Sequence, residues 1–326
     1  MKNIRAAVVV TCLLAVVAPA LGQGPVPVNV RFSWKLKGEY AQLYVAEANG
    51  HFKNAGLAVR LGEGAGAQPA LAALLQGQED LVLLPGVFAL SAISRGMPVK
   101  LVALYHPVTP MGFISHPDNP VRTPKDLEGK TVPTSVGETA TTYLDVLCAK
   151  NGVDCGKIKR VQMESGARLS QFLAGRVDLV SVYQTNDLPL VEQQTGKKFP
   201  LLDLVQYGVT VPGMALVSTD AVIAKKADAL RKFLRATAQG IQDARRSPEE
   251  AARIMIRSWP AAPPLPVVTA QVKATLDAIP APAGRPVGWI DEATIRQALE
   301  LLKTAKEIET ARPAGEYFTN TLLDGA

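Results

Sequence analysis

The chain alternates short β-rich runs with helical stretches. Val28–Trp34 (VNVRFSW) reads as a strand, and Tyr40–Asn54 as a helix stopping at Gly56. Leu57–Glu63 (LAVRLGE) alternates apolar and polar positions, the pattern of a half-buried strand. Gly64–Gly66 is then a loop, and Gln68–Leu75 a helix ended by Gly77. Leu81–Leu84 is a continuous apolar run, expected as a buried strand, with Pro85-Gly86 leading into a helix over Val87–Arg95. Val99–Tyr105 is another strand. The style then repeats: strands at Lys130–Pro133, Lys159–Met163 and Leu179–Tyr183 flank helices at Glu138–Lys150 and Arg168–Ala174. Beyond Val211 the chain turns helical, over Ala227–Arg245, Pro248–Ser258 and Asp291–Lys306, with the proline-rich Trp259–Pro266 as a loop. Strand–helix alternation of this kind predicts an α/β fold with mostly parallel sheets flanked by helices.

The first residues break this pattern. Lys2 and Arg5 precede the apolar run Ala6–Ala18, and small residues follow at Ala18, Ala20 and Gly22. This is the charged, apolar and small-residue order of a secretion signal. The apolar run falls short of the roughly 20 residues a bilayer span needs. Residues 1–22 are therefore expected to leave on export, with cleavage after Ala20 as the alternative. The chain has 326 residues and three cysteines. Cys12 lies in the apolar run, so Cys148 and Cys155 remain, with six residues between them. An oxidising compartment favours their pairing as a disulfide; two free thiols are the other reading. The formal charge of +6 is scattered, with only short pairs such as Lys225-Lys226 and Arg245-Arg246. That distribution does not form the clustered patch that nucleic acid requires.

Ligands of open parallel sheets bind beyond the carboxyl ends of the strands. The strand-to-helix junctions therefore supply the candidate ligand residues. Trp34, Glu39 and Tyr40 follow the first strand, and an aromatic face beside polar groups suits a flat, polar ligand. Gly64, Ala65 and Gly66 offer backbone N–H groups at a helix start, and Pro85 and Gly86 end the third strand. Ser135, Gly137, Glu138 and Thr139 open a helix of the second unit, where simple N-capping is the competing reading. Tyr183 ends the last strand of that unit and Asn186 and Asp187 follow it, and an amide there can pair with the edges of a heterocycle. Catalytic signals are weak. His51, His106 and His116 have no metal-ligand spacing, and neither GxSxG nor a phosphate-binding loop is present. No metal, no cofactor and no enzymatic activity are expected.

FSWKLKGEYAQLYVAEANGHFKNAGLAVRL resembles the opening of the solute-binding proteins of ABC importers for thiamine-pyrimidine precursors, sulfonates and nitrate. PKDLEGKTV resembles their entry into a second lobe, and LAGRVDLVSVYQTNDLPLV with QYGVTVPGMALVST resembles the return to the first. GWIDEATIRQALELLK and EYFTNTLL resemble their C-terminal helices and tail, so the likeness runs from about Phe32 to the end. It implies the type II periplasmic-binding-protein fold, two α/β lobes joined by two hinge crossings, here near Met111–Ser115 and Gly213–Val217. The implied division is residues 23–113 and 214–326 in lobe 1 and 114–213 in lobe 2. It further implies a periplasmic monomer that closes on a small molecule and docks on an inner-membrane permease. GEYA after Trp34 and the TND–QYGV pattern look most like the pyrimidine-precursor branch. An alkanesulfonate or nitrate is the alternative ligand. The cysteine-rich motif of the related pyrimidine synthases is missing, which argues against that activity.

Overall fold

The computed structural model describes residues 24–135, 138–280 and 284–324. The expected secretion signal and Gly137 lie outside the described residues. Among the described residues, ten strands form two groups. β1 (Val26–Phe32), β2 (Leu57–Gly62), β3 (Leu81–Pro85) and β4 (Val99–Leu104) precede the first passage between them. β5 (Met111–Ser115), β6 (Thr131–Thr134), β7 (Lys159–Gln162), β8 (Leu179–Tyr183) and β9 (Leu201–Asp203) build the second group. β10 (Met214–Thr219) returns to the first.

The first sheet runs β2-β1-β3-β10-β4, and β10 lies antiparallel between β3 and β4. In the second group β5 lies antiparallel between β8 and β9, and β6 pairs in parallel with β7. β6 adjoins β8 at its start, where the Asp178 amide donates to Thr131 O at 3.1 Å and Asp178 Oδ2 accepts from the Thr131 amide at 2.6 Å. In the first group three parallel strands are followed by β10 in the opposite direction; in the second, β5 is inserted antiparallel between β8 and β9, with the parallel pair β6-β7 beside β8. The inserted strands are the ones that enter from the other group. Met111–Ser115 and Gly213–Val217 were expected as hinge crossings. They are largely those inserted strands, and the chain passes between the groups just ahead of them, through 105–110 and 208–213. The first sheet is accordingly mixed rather than mostly parallel, and the three-stranded sheet of the second group is antiparallel.

Burial explains the apolar runs. In β3, Leu81 and Leu83 face a core built with the helices Ala41–Ala48, Asp220–Arg246, Pro248–Arg257 and Leu265–Asp277. Val82 and Leu84 face the opposite core, with the helices Ala67–Leu75, Gly86–Ser94 and Glu292–Thr304. A strand covered on both faces needs apolar side chains at every position, which is why LVLLP shows no alternation. The second group is covered likewise, with Ile114, Val180 and Val182 on Phe172, and Phe113, Leu179 and Leu202 in the opposite core.

Local differences from the sequence expectations have local causes. The expected helix Tyr40–Asn54 divides into Ala41–Ala48 and His51–Asn54, because Gly50 takes φ of 75°. Helices at Asp187–Thr195 and Leu265–Asp277 were not anticipated. Cys148 and Cys155 are disulfide-bonded, with Cα atoms 5.7 Å apart.

Candidate functional site

A cavity of about 650 Å³ lies where the carboxyl ends of β1, β3 and β8 face one another across the passages between the sheets. That size suits a small organic molecule. Its first wall comes from the segment after β1. Trp34 stands just beyond the strand end, and 44% of its surface is exposed at the cavity. The strand ends two residues earlier than its apolar pattern suggests, which frees Trp34 from the sheet. Tyr40, by contrast, is buried and stacks on Phe32 with ring centroids 4.1 Å apart. Burial, reinforced by the Glu39 carboxylate, holds its phenol pKa well above the ordinary value, so Tyr40 stays a neutral hydrogen-bonding group.

Gly64 does not line the cavity. Its amide donates to Trp34 O at 3.1 Å, and a Cβ there would lie 1.9 Å from Phe32 O, so only glycine lets this loop approach the end of β1. Gly66 does line the cavity, as does Ala65, but the Gly66 amide donates to Ser33 O at 2.7 Å. The glycine amides are thus used to shape the loop. The Ala67 and Gln68 amides in the first helical turn have no partner among the described residues, and both residues line the cavity. Pro85 also lines it. The Gly86 amide instead donates to Gly213 O at 2.5 Å and ties the helix start to the second passage.

The opposite wall comes from the second group. Glu138 caps the helix Thr139–Thr142, accepting from the amides of Ala140 at 3.0 Å and Thr141 at 2.8 Å, and it also lines the cavity. Glu138 therefore caps the helix and borders the cavity at once, with its carboxylate largely taken up by the cap. Thr139 Oγ1 lies 3.0 Å from the Tyr183 hydroxyl, and the Tyr183 amide donates to Asp187 Oδ2 at 2.9 Å. Burial raises the Tyr183 phenol pKa and keeps it neutral. Ser135 is turned away, with its hydroxyl donating to Met163 O at 2.7 Å. Asn186 also sits behind the wall, where its Nδ2 donates to Glu39 Oε2 at 2.6 Å.

Sequence reasoning missed several lining residues. Arg168 begins the helix Arg168–Leu173, donates to Ser181 Oγ, and lies 3.8 Å from Glu138 Oε1. Its Nε is buried without a partner. The junction after β7 also leads into a helix, but a charged first residue ordinarily faces water, and only its long-range partners turn this one inward. Lys37 reaches across the cleft, with Nζ 5.9 Å from the Tyr183 ring centroid. His106 sits in the first passage, with Nε2 3.1 Å from Thr275 O, and burial lowers its pKa and keeps it neutral. No group of three or more His, Cys, Asp or Glu among the described residues could hold a metal ion. No helix among them is long and apolar enough to cross a membrane.

Two groups of strands and helices, joined by two passages and enclosing a cleft lined from both sides, define the periplasmic-binding-protein fold, an α/β scaffold of small-solute binders. Residues 37–251 match the NMT1/THI5-like family, and the chain belongs to it. Riboflavin-binding protein RibY of Chloroflexus aurantiacus is 24% identical over 247 residues, covering 74% of this chain and 69% of the relative. A 4-amino-5-hydroxymethyl-2-methylpyrimidine phosphate synthase of Schizosaccharomyces pombe is 28% identical over 123 residues, 37% of this chain and 35% of the synthase. Among solved structures, the aliphatic sulphonate binding protein SsuA of Escherichia coli superposes with a TM-score of 0.71 at 14% identity, covering 92% of this chain and all of that one. The desulfurization enzyme DSZB also shares the fold, with a TM-score of 0.63 at 14% identity over 91% of this chain and 98% of its own.

Proposed function

We propose that the chain is the exported solute-binding component of an ABC importer and captures a small heteroaromatic nutrient resembling a thiamine pyrimidine precursor. The observation that carries this reading is Trp34, a large aromatic side chain left 44% exposed at the lip of a cleft of molecular size. A buried ring would stabilise the fold more, so its exposure is best accounted for by a flat partner. Neutral hydroxyls of Tyr40 and Tyr183 and the carboxylates of Glu39, Glu138 and Asp187 surround that face with groups able to pair with ring nitrogens and amines. The RibY relative, named for a nitrogen-rich aromatic vitamin, supports the same ligand class.

In this reading residues 1–22 leave on export, residues 23–113 and 214–326 make lobe 1, and residues 114–213 make lobe 2. The lobes close on the solute, and the closed monomer hands it to a permease in the inner membrane. The chain is then a carrier and not an enzyme.

Arg168 favours a second reading. A guanidinium with a buried, unpartnered Nε facing a cleft suits an anionic group such as an alkanesulfonate. A thermal-shift panel separates the two. Riboflavin and 4-amino-5-hydroxymethyl-2-methylpyrimidine test the first, and an alkanesulfonate tests the second. A ligand at a hundred times its dissociation constant stabilises the fold by about 2.7 kcal/mol, which is readily measured. Stabilisation by the sulfonate alone replaces the first reading with the second. By calorimetry, Trp34→Ala should weaken binding of the pyrimidine or riboflavin by about 1–3 kcal/mol, the scale of ring stacking and burial. Unchanged affinity would remove Trp34 from the site.

A further inference from the structure

Behind the cavity wall lies a chain of buried hydrogen bonds. Gln271 belongs to the helix Leu265–Asp277, which packs on the first sheet through Val268 and Val272. Its Oε1 accepts from the Gly38 amide at 3.1 Å, in the segment after β1. Its Nε2 donates to the Asn186 main-chain O at 3.0 Å, in the segment after β8. Asn186 in turn donates from Nδ2 to Glu39 Oε2 at 2.6 Å and to Thr185 Oγ1 at 3.0 Å. Gln271 is 3% exposed and Asn186 2%. The chain therefore starts on the first sheet's side, crosses to the second sheet's side, and returns to Glu39 on the first.

We infer that Gln271 is a positioning residue, the centre of a clasp that draws the two lobes together and sets the direction of Glu39 in the cleft. A buried amide costs free energy unless both its ends are bonded. The other buried positions of the helix are Val267, Val268, Val272, Thr275 and Leu276, and a leucine or methionine at 271 would bury as well. The amide is explained by the partners it reaches, one on each side. Gly38 fits the same arrangement, because a Cβ there would lie 2.5 Å from Gln271 Cβ and 3.1 Å from Val268 O. Every atom of the clasp belongs to the chain, so its contribution to closure is present before any solute arrives. Gln271 does not line the cavity and lies beyond the 37–251 match that defines the family. A change there reaches a ligand only through the position of the lobes and of Glu39. The clasp raises the population of the closed state, which tightens binding and slows entry of the solute.

Small-angle X-ray scattering of the full exported chain without added solute tests this directly. Gln271→Met keeps the volume and removes both hydrogen bonds. Gln271→Asn keeps the amide but is one methylene too short to reach both partners, and it carries less risk to the core. Both variants should show a larger radius of gyration than the wild type, with circular dichroism and melting temperature nearly unchanged. An unchanged radius in a folded variant overturns the inference. A purely structural role for Gln271 would lower the melting temperature without enlarging the particle, and that result also overturns it. With riboflavin or the hydroxymethylpyrimidine, whichever binds the wild type, association should be faster and the dissociation constant roughly fivefold higher, the worth of one net hydrogen bond. That second measurement rests on the proposed ligand class. The change in radius does not, so a failed ligand panel leaves the clasp testable.

Discussion

Gly64 and Trp34 show how single side chains shape the cleft. Gly64 is there because its neighbour is a backbone carbonyl that cannot yield. Gly64→Ala should destabilise the fold by about 1–3 kcal/mol, the usual cost of overpacking, and thermal melting would show it. Trp34→Ala should leave the melting temperature nearly unchanged, since much of that ring already meets water. The two substitutions thus separate a residue that builds the loop from one that stands exposed at the cavity and is proposed to meet the ligand. Trp34, Glu39, Tyr40, Glu138, Thr139, Tyr183 and Asp187 were legible as lining residues because each ends or follows a strand, and strand ends converge on the cleft. Arg168 was less legible. A charge in a helix's first turn ordinarily faces water, and only the long-range partners Ser181 and Glu138 turn this one inward. Ser135, Gly64, Gly86 and Asn186 sit at the right junctions, yet their polar groups are taken by Met163, Trp34, Gly213 and Glu39. Adjacency in sequence identifies a junction but does not say which atoms remain free.

Among the elements, the Cys148–Cys155 bridge ties the end of the helix Leu144–Lys150 to the turn before β7. Its short loop limits the entropy it removes from the unfolded chain. Replacing both cysteines by serine should cost about 2–3 kcal/mol, measured as a shift in the urea midpoint. Cys148 is buried in the core shared by the second group, so part of that loss is apolar contact rather than the bridge. Most strands and helices were predictable within two residues from apolar runs and glycine stops. The inserted strands β5 and β10 were not distinguished from hinge segments. A buried strand such as MALVST reads the same in either direction, and its antiparallel pairing depends on partners more than a hundred residues away.

At the scale of the molecule, stability should fall as the solution is acidified. His106 is kept neutral by burial, so below about pH 6.5 the unfolded chain takes up a proton that the fold excludes. Glu128 is held at about 2 by hydrogen bonds from Lys125, the Asp154 amide and Lys157. Asp126 is lowered by the amides of Arg122 and Thr123. Asp243 is pushed up by burial, but hydrogen bonds from His51 and Asn49 outweigh that and lower it. Each depressed carboxyl contributes stability above its unfolded pKa that is lost as pH falls towards its folded value. Glu47 acts in the opposite sense, because burial raises its pKa and acid relieves it. The balance predicts a melting temperature that declines progressively from about pH 6.5 to pH 3. A flat profile over that range would show that these groups titrate alike in both states.

The amino-acid sequence by itself determined the α/β alternation and the junctions that border the cleft, because each follows from short-range periodicity or turn chemistry, and it left Cys148 and Cys155 open between a bridge and two free thiols. Only the tertiary structure decided which junction atoms face the cleft, that Arg168 joins them, and that Gln271, far along the chain, reaches Gly38 and Asn186. Those choices rest on which polar groups find a buried partner first, and the partners are brought together only when the two sheets meet.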